Sequence, residues 1–471
     1  QIDDKKEIID TFTRDGDFYF TGFNNYNYDD ALINFIINPE ELKKEVTVTT
    51  LYNMSKRLVE DKDYRNPYRY KSAFKSIDML EVLRKGFNVK SLKSIAVNLE
   101  HDKIQDLPID PHVDVTPEQF ELLKTYNIND LNITEKIVKR EISKLELRQT
   151  IEQLYDNQIS IIGDSDSGIA KKVLTKYYKD ALEAKTGKKV FLAKGGTDRG
   201  DLLLVKDLVY ERIKFQHPIL VSFFNQVLEG QIVRTEKGEF SDKYEWKEEI
   251  TFGNKEYTLG LGGIHTKDNP AVYRSDDKMM VLDVDVTSMY PTSFIKNDLC
   301  PEHLDKEVFL SVLSKLVDER VEYKKLYKQT KQDKYNALQS ALKIAVNTFY
   351  GLTNSKTGWL FDPKASFTCT VNNQLLMLML IEQFVKYGHK VISANTDGVT
   401  LFIERAKLND VRRIYEQWEE MSFFNLEESI YNIYLRRDIN NYIAVYDNGE
   451  IKYKGAFEPQ EVKDLLKGFK Y

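Results

Sequence analysis

Cysteine is nearly absent. The two present, Cys300 and Cys369, lie far apart without Cys-x-x-Cys or Cys/His spacing, so neither a disulfide framework nor a zinc site is implied, and a reducing cytoplasm is the expected setting. No apolar run approaches the roughly 20 residues that a membrane span needs, and no signal-peptide pattern is seen, so no membrane partner is expected. Repeats and low-complexity tracts are also lacking. Positive charge is not in excess either: 68 Lys and Arg stand against 74 Asp and Glu, a net charge of −6. As an average this argues against a nucleic-acid partner, but a binding groove needs only local positive charge. What the chain has is 471 residues, 42% of them hydrophobic, with 28 Tyr and 25 Phe. That is enough for about three cored domains and too apolar for a disordered chain. It begins at Gln1 rather than Met, which suggests a fragment.

Positive charge does gather between Lys315 and Lys343, where Lys and Arg outnumber Asp and Glu. By itself this reads first as a solvated helical hairpin. Residues 1 to about 150 mix short strands ("DFYFTGFN") with helical stretches and end in an amphipathic run from Pro117 to Leu147. A Gly-punctuated segment follows, in which "YTLGLGGIHT" (257–266) reads as a loop. "MMVLDVDV" reads as a strand with Leu282, Val284 and Val286 on one face and Asp283 and Asp285 on the other. Helical patterns follow at about 305–330 and 333–352.

"VISANTDGVTLFIE" sets Asn395-Thr396-Asp397-Gly398 between two β-branched runs. Asp-Gly there is a hairpin signal, the glycine being expected to supply a positive φ. Asp285 ends the preceding strand and leads into "TSMYPTSFI", with Pro291 suited to the first turn of a helix. Such a helix start leaves backbone N–H groups free for phosphate. A carboxylate at a strand end and another at a hairpin tip can clamp two divalent cations about 3.5–4 Å apart for phosphoryl transfer. Alone, either Asp reads as a turn cap. Between them, "KIAVNTFYG" (343–351) puts Lys343, Asn347 and Tyr350 on one helical stripe, beside an apolar stripe of Leu338, Leu342, Ala345 and Phe349.

In this order the three features resemble a B-family DNA polymerase. "DVTSMYP" (285–291) is similar to the family's first palm motif, DxxSLYP. "KIAVNTFYG" is similar to its fingers motif, KxxxNSxYG, and "NTDG" (395–398) to its second palm motif, DTDS. The resemblance implies that Asp285 and Asp397, with Val286 beside them, hold two Mg²⁺ ions, or Mn²⁺ in their place. Ser288, Met289 and Tyr290 would offer backbone amides to the triphosphate, the Tyr290 ring excluding a ribose 2′-OH. Arg320, Lys324, Lys343 and Asn347 would grip the triphosphate, and Tyr350 would flank the nascent base pair. "GFNNYNYDD" and "YNIND" resemble the family's second and third exonuclease motifs and supply Asn24, Asp29, Tyr126 and Asp130.

The departures from the family are specific. The first exonuclease motif, DxE, is not found in residues 1–23, and Asp15-Gly16-Asp17 does not replace it. The chain stops soon after "KYKGAFE", where a thumb would follow. Asn440 stands at the lysine of the family's KxY motif, before Asn441-Tyr442, so the primer contact falls to Lys452 or Lys454. Asn395 replaces the first Asp of DTD, which is not a principal ligand in the family. Gly262 and Gly263 would let the backbone of the linking loop approach template phosphates. Two decoys are set aside: "GDSDS" (163–167) precedes Asp285 and reads as a helix N-cap, and "KTGKK" (185–189) lacks Walker spacing.

The resemblance implies an α/β (α+β) chain: a partial ribonuclease H-like 3′-5′ exonuclease domain (1–150), a linking or N-terminal palm region (151–278), palm (279–300), two-helix fingers (301–355) and palm again (356–471). It implies a monomeric, phage-like enzyme that extends a primer on primer-template DNA with dNTPs. The alternative is a catalytically silent module that binds primer-template. The stretch between Asp285 and Lys343 has no room for the large insertion of protein-primed members.

Overall fold

The computed structural model describes residues 5–16, 18–38, 45–61, 74–84, 91–110, 115–193, 195–234, 240, 248–260, 262–356 and 358–457. Asp17 and Glu458, each part of a stretch considered above, lie outside these. Helices and strands are mixed throughout, as an α/β chain requires, and they form two compact units that divide between Lys172 and Val173.

In the amino-terminal unit, Phe20–Gly22 pairs in parallel with Ser76–Asp78, and a 38-residue helix runs from Pro117 to Leu154. That helix starts as its sequence dictates. Thr116 and Gln119 form a capping box, and the proline occupies the first turn, where its missing N–H costs nothing. Ile133, Ile137 and Leu145 project from it into a core with Ile77, Met79 and Val82. The rejected GDSDS stretch opens a helix from Asp166 to Thr186, with Gly168 N–H donating to Ser165 Oγ at 3.2 Å.

The second unit is built on a seven-stranded sheet whose pairings are all antiparallel. Met279–Val286 is central, between the hairpin Lys390–Ala394/Gly398–Glu404 and the long strand Leu426–Asp438. Beyond the long strand lie Asn441–Tyr446 and Ile451–Lys454. Strand alternation divides the central strand as its sequence indicates. Met280, Leu282, Val284 and Val286 enter a large core with the buried helix Pro363–Lys386. Val281, Asp283 and Asp285 face the other way, Val281 joining Tyr431, Tyr434 and Tyr442.

The segment 257–266 is not a loop. Lys255–Gly260 and Gly263–Thr266 form an antiparallel hairpin, with Tyr257, Leu259 and Ile264 fully buried. Its glycines conceal the strand alternation. Asp268 pins it, its carboxylate taking Lys255 at 2.7 Å, Thr266 at 2.8 Å and Ser393 at 2.7 Å. The two helices that follow the central strand run from Lys306 to Thr330 and from Asp333 to Leu352, close to the expected ranges. They pack against each other, and each has a buried side: Val312, Leu313 and Leu316 are buried on one, and Ala337, Ala341 and Ala345 on the other. Among the described residues no helix is long and apolar enough to cross a membrane.

Candidate active site

Register brings the two sequence-predicted carboxylates together. Gly398, the residue after Asp397, pairs directly with Asp285 across the central strand. Val286 N–H then donates to the Asp397 carbonyl at 2.6 Å, which ties the strand end to the hairpin tip. Gly398 is needed here for space, not for a positive φ. Its φ is not positive, and a Cβ on it would stand 2.0 Å from Asp285 Oδ1. Asn395 shapes the tip: its Oδ1 accepts from Asp397 N–H at 3.2 Å, and its own N–H donates to the Gly398 carbonyl at 2.9 Å.

Asp285 and Asp397 line one cavity of about 280 Å³ with Asn395, Asn440, Tyr442, Lys452 and Lys454. Burial raises the Asp285 pKa well above the usual carboxylate range, and the nearby Asp283 and Asp397 charges add to it while Lys452 opposes them. Asp397 is exposed at the tip. Protein packed around the cavity mouth, rather than cover over the carboxylate, supplies the desolvation that raises its pKa, against its own backbone N–H and the Lys454 and Lys452 charges. Two crowded carboxylates in an open cavity are a hard-oxygen donor pair suited to a divalent cation of the Mg²⁺ type. Among the described residues no group of three or more His, Cys, Asp and Glu side chains could hold an ion, so the donor set rests on these two.

The sequence reading missed Asp283, which lines the same cavity. Its signal was present: a second carboxylate two residues from Asp285 on the same strand face, in an otherwise apolar strand.

The other candidates form two smaller groups. Ser288 is held in the left-handed region (φ 51°) and precedes the helix Met289–Lys296, in which Pro291 is third. Arg320 Nη1 reaches Ser288 Oγ at 3.5 Å, while Met289 is buried in the core. Tyr290 and Tyr350 stack face to face, centroids 3.7 Å apart and 1° from parallel. Lys324, Lys343 and Asn347 are exposed on their helices and do not line the cavity. Of the glycines, Gly262 is exposed, whereas Gly263 (φ +129°) is buried with its Cβ position 2.7 Å from Thr396 in the hairpin tip. His265 of the same strand lies 3.5 Å from Thr396 Oγ1, and burial lowers its pKa despite Asp397.

In the amino-terminal unit Tyr126 hydrogen-bonds Asp130, whose pKa burial raises while Tyr126 and Lys93 lower it. Asp29 has its pKa raised by burial and by Asp30. Asn24 adopts φ 61°, and its N–H donates to Asp78 at 2.7 Å.

Residues 298–416 match the family model described as DNA polymerase family B. That segment holds Arg320, Lys324, Lys343, Asn347, Tyr350 and Asp397, but not Asp285. Among curated proteins the chain is similar to a DNA polymerase of Pyrococcus glycovorans, 25% identical over 159 residues, which covers 28% of this chain and 20% of that protein. It is similar also to DNA polymerase 1 of Sulfolobus acidocaldarius, 26% identical over 164 residues, which covers 32% of this chain and 18% of the other. The matched stretch thus spans about a fifth of the length of these relatives. Among solved structures, the family B DNA polymerase from the hyperthermophilic archaeon Pyrobaculum calidifontis aligns over 92% of this chain and 51% of its own, at 17% identity and a TM-score of 0.41. Residues 298–416, in the carboxy-terminal half of the chain, are therefore similar in sequence to family B DNA polymerases.

Proposed function

We propose that this chain is a template-directed DNA polymerase of the B-family type, adding dNTPs to the 3′-OH of a primer. The observation that carries the reading is the meeting of Asp285 and Asp397 in one lysine-flanked cavity, Asp397 lying within the segment that matches the family. Asp285 and Asp397, with the Val286 backbone, are the residues that would hold two Mg²⁺ ions, which supply activation of the 3′-OH and charge neutralisation on the leaving pyrophosphate. Arg320, held at Ser288, is the cation best placed to receive the triphosphate at the start of the Met289–Lys296 helix. Lys324, Lys343 and Asn347 extend that grip along the two helices, free to close on a nucleotide because they are exposed. Tyr290 and Tyr350, stacked on each other, would offer flat faces to the sugar and base once the rings part. Tyr442, Lys452 and Lys454 line the primer side. Gly263 acts through packing against the hairpin tip, and Gly262 is the open backbone position. In the amino-terminal unit, Asn24, Asp29, Tyr126 and Asp130 are assigned to a 3′-5′ exonuclease site that is incomplete in this chain.

The test is primer extension with Mg²⁺ on the parent, Asn395→Asp and Asp397→Ala. The expected result is extension by the first two and none by Asp397→Ala. Equal extension by Asp397→Ala would remove Asp397 from the chemistry. Silence from all three, with primer-template still bound, would favour a non-catalytic binding module.

A further inference from the structure

One charged group in the cavity has no part in the reaction proposed above. Asp283 is 7% exposed, and both of its carboxylate oxygens are occupied. Thr400 Oγ1 donates to Oδ1 at 2.6 Å, and the Tyr431 hydroxyl donates to Oδ2 at 2.7 Å. The two hydroxyls take about half of the carboxylate's lone-pair sites and fix its orientation, while its charge remains. The Tyr431 oxygen, having given its proton to Asp283, can accept another, and Lys452 Nζ lies 3.4 Å from it. Lys452 also stands 5.6 Å from the centroid of the Tyr442 ring, and it lines the cavity with Asp283 and Asn440. A buried carboxylate is costly unless a cation answers it, and Lys452 is the cation that this chain of contacts reaches. The same cavity carries an uncharged Asn440 where the resemblance calls for lysine.

We propose that Asp283 is a positioning residue: through the Tyr431 hydroxyl it fixes the Lys452 ammonium at the cavity wall, where that ammonium takes a primer-strand phosphate in place of a cation at position 440. The inference rests on the polymerase reading of this cavity, and it predicts an effect of unusual sign. Deleting a negative charge from a surface that binds a polyanion ordinarily tightens binding. If Asp283 acts by holding Lys452, deleting it weakens binding.

The experiment measures binding of a primer-template duplex by fluorescence anisotropy across a salt series, for the parent, Asp283→Asn, Lys452→Met and the double variant. Asp283→Asn is expected to weaken binding about fivefold when Lys452 is present and to have no effect when it is not. Lys452→Met is expected to lower the slope of log affinity against log salt by about 1. Tighter or unchanged binding by Asp283→Asn, or an equal loss in both backgrounds, overturns the assignment, since a purely structural role gives no coupling to Lys452. If Asp283→Asn does not fold, Tyr431→Phe cuts the same link with the carboxylate left in place and must show the same dependence on Lys452. A parent that neither binds nor extends primer-template overturns the polymerase reading and this inference together. An active parent without coupling overturns this inference alone.

Discussion

Gly398 has no room for a side chain in the cavity. Its partner across the strands is Asp285, and a methyl group there would stand 2.0 Å from the Asp285 carboxylate. Gly398→Ala must therefore displace either the carboxylate or the hairpin. Overpacking of this kind costs about 1–3 kcal/mol, so a fall in the thermal midpoint is expected with loss of primer extension. An alanine variant with full extension would show that Asp285 needs no fixed position. At this scale much was legible. The face that Asp283 shares with Asp285 follows from strand alternation, whereas Asp285 and Asp397 stood out through the strand end, the Asp-Gly turn and the order of the motifs. What Asp283 does was not legible, because its two hydroxyl partners, Thr400 and Tyr431, come from strands 117 and 148 positions further along the chain. The glycine was found for the wrong reason, since a turn signal cannot reveal which side chain stands opposite.

Among the elements, the two helices after the central strand were readable because each carries an apolar stripe at helical period, Val308 to Leu316 in one and Ala337 to Phe349 in the other. Their connection carries an avoidable strain. Lys331 closes the first helix in the left-handed region, φ 57°, with its N–H bonded to the Tyr327 carbonyl. Glycine adopts that geometry without the Cβ clash, which costs an L-residue about 1–2 kcal/mol. Lys331→Gly is thus expected to raise the thermal midpoint while primer extension stays within about twofold of the parent, Lys331 being outside the cavity; a lower midpoint would contradict this account of the turn. The hairpin 255–266 was misread because two of the residues nearest its turn, Gly260 and Gly262, have no side chain to show alternation. Gly263, the other, is buried by Thr396 of a distant hairpin. Glycine there reports close packing, which local pattern does not distinguish from a loop.

At the scale of the whole molecule, the chain divides into two compact units. In the amino-terminal unit Asp78 is fully buried, and its carboxylate accepts from the N–H groups of Asn24 at 2.7 Å, Tyr26 at 3.2 Å and Leu80 at 2.9 Å. Burial outweighs those donors and pushes its pKa up to about 6 from 3.8. A folded-state value above the unfolded one means a contribution fully present below the unfolded pKa and lost as pH rises through the folded one. Asp78 should thus cost this unit on the order of 3 kcal/mol between pH 4 and 7. Denaturant titration of the parent and Asp78→Asn should show the loss in the parent only; parallel profiles would assign the slope to other groups. In the second unit, the face-to-face tyrosines join the helix after the central strand to the helix that carries Lys343 and Asn347. Each ring covers the surface that a nucleotide would use on the other. For any flat ligand that must lie against Tyr290 or Tyr350 the chain is its own competitive inhibitor, and the affinity such a ligand displays is its intrinsic affinity scaled by the fraction of molecules whose rings have parted.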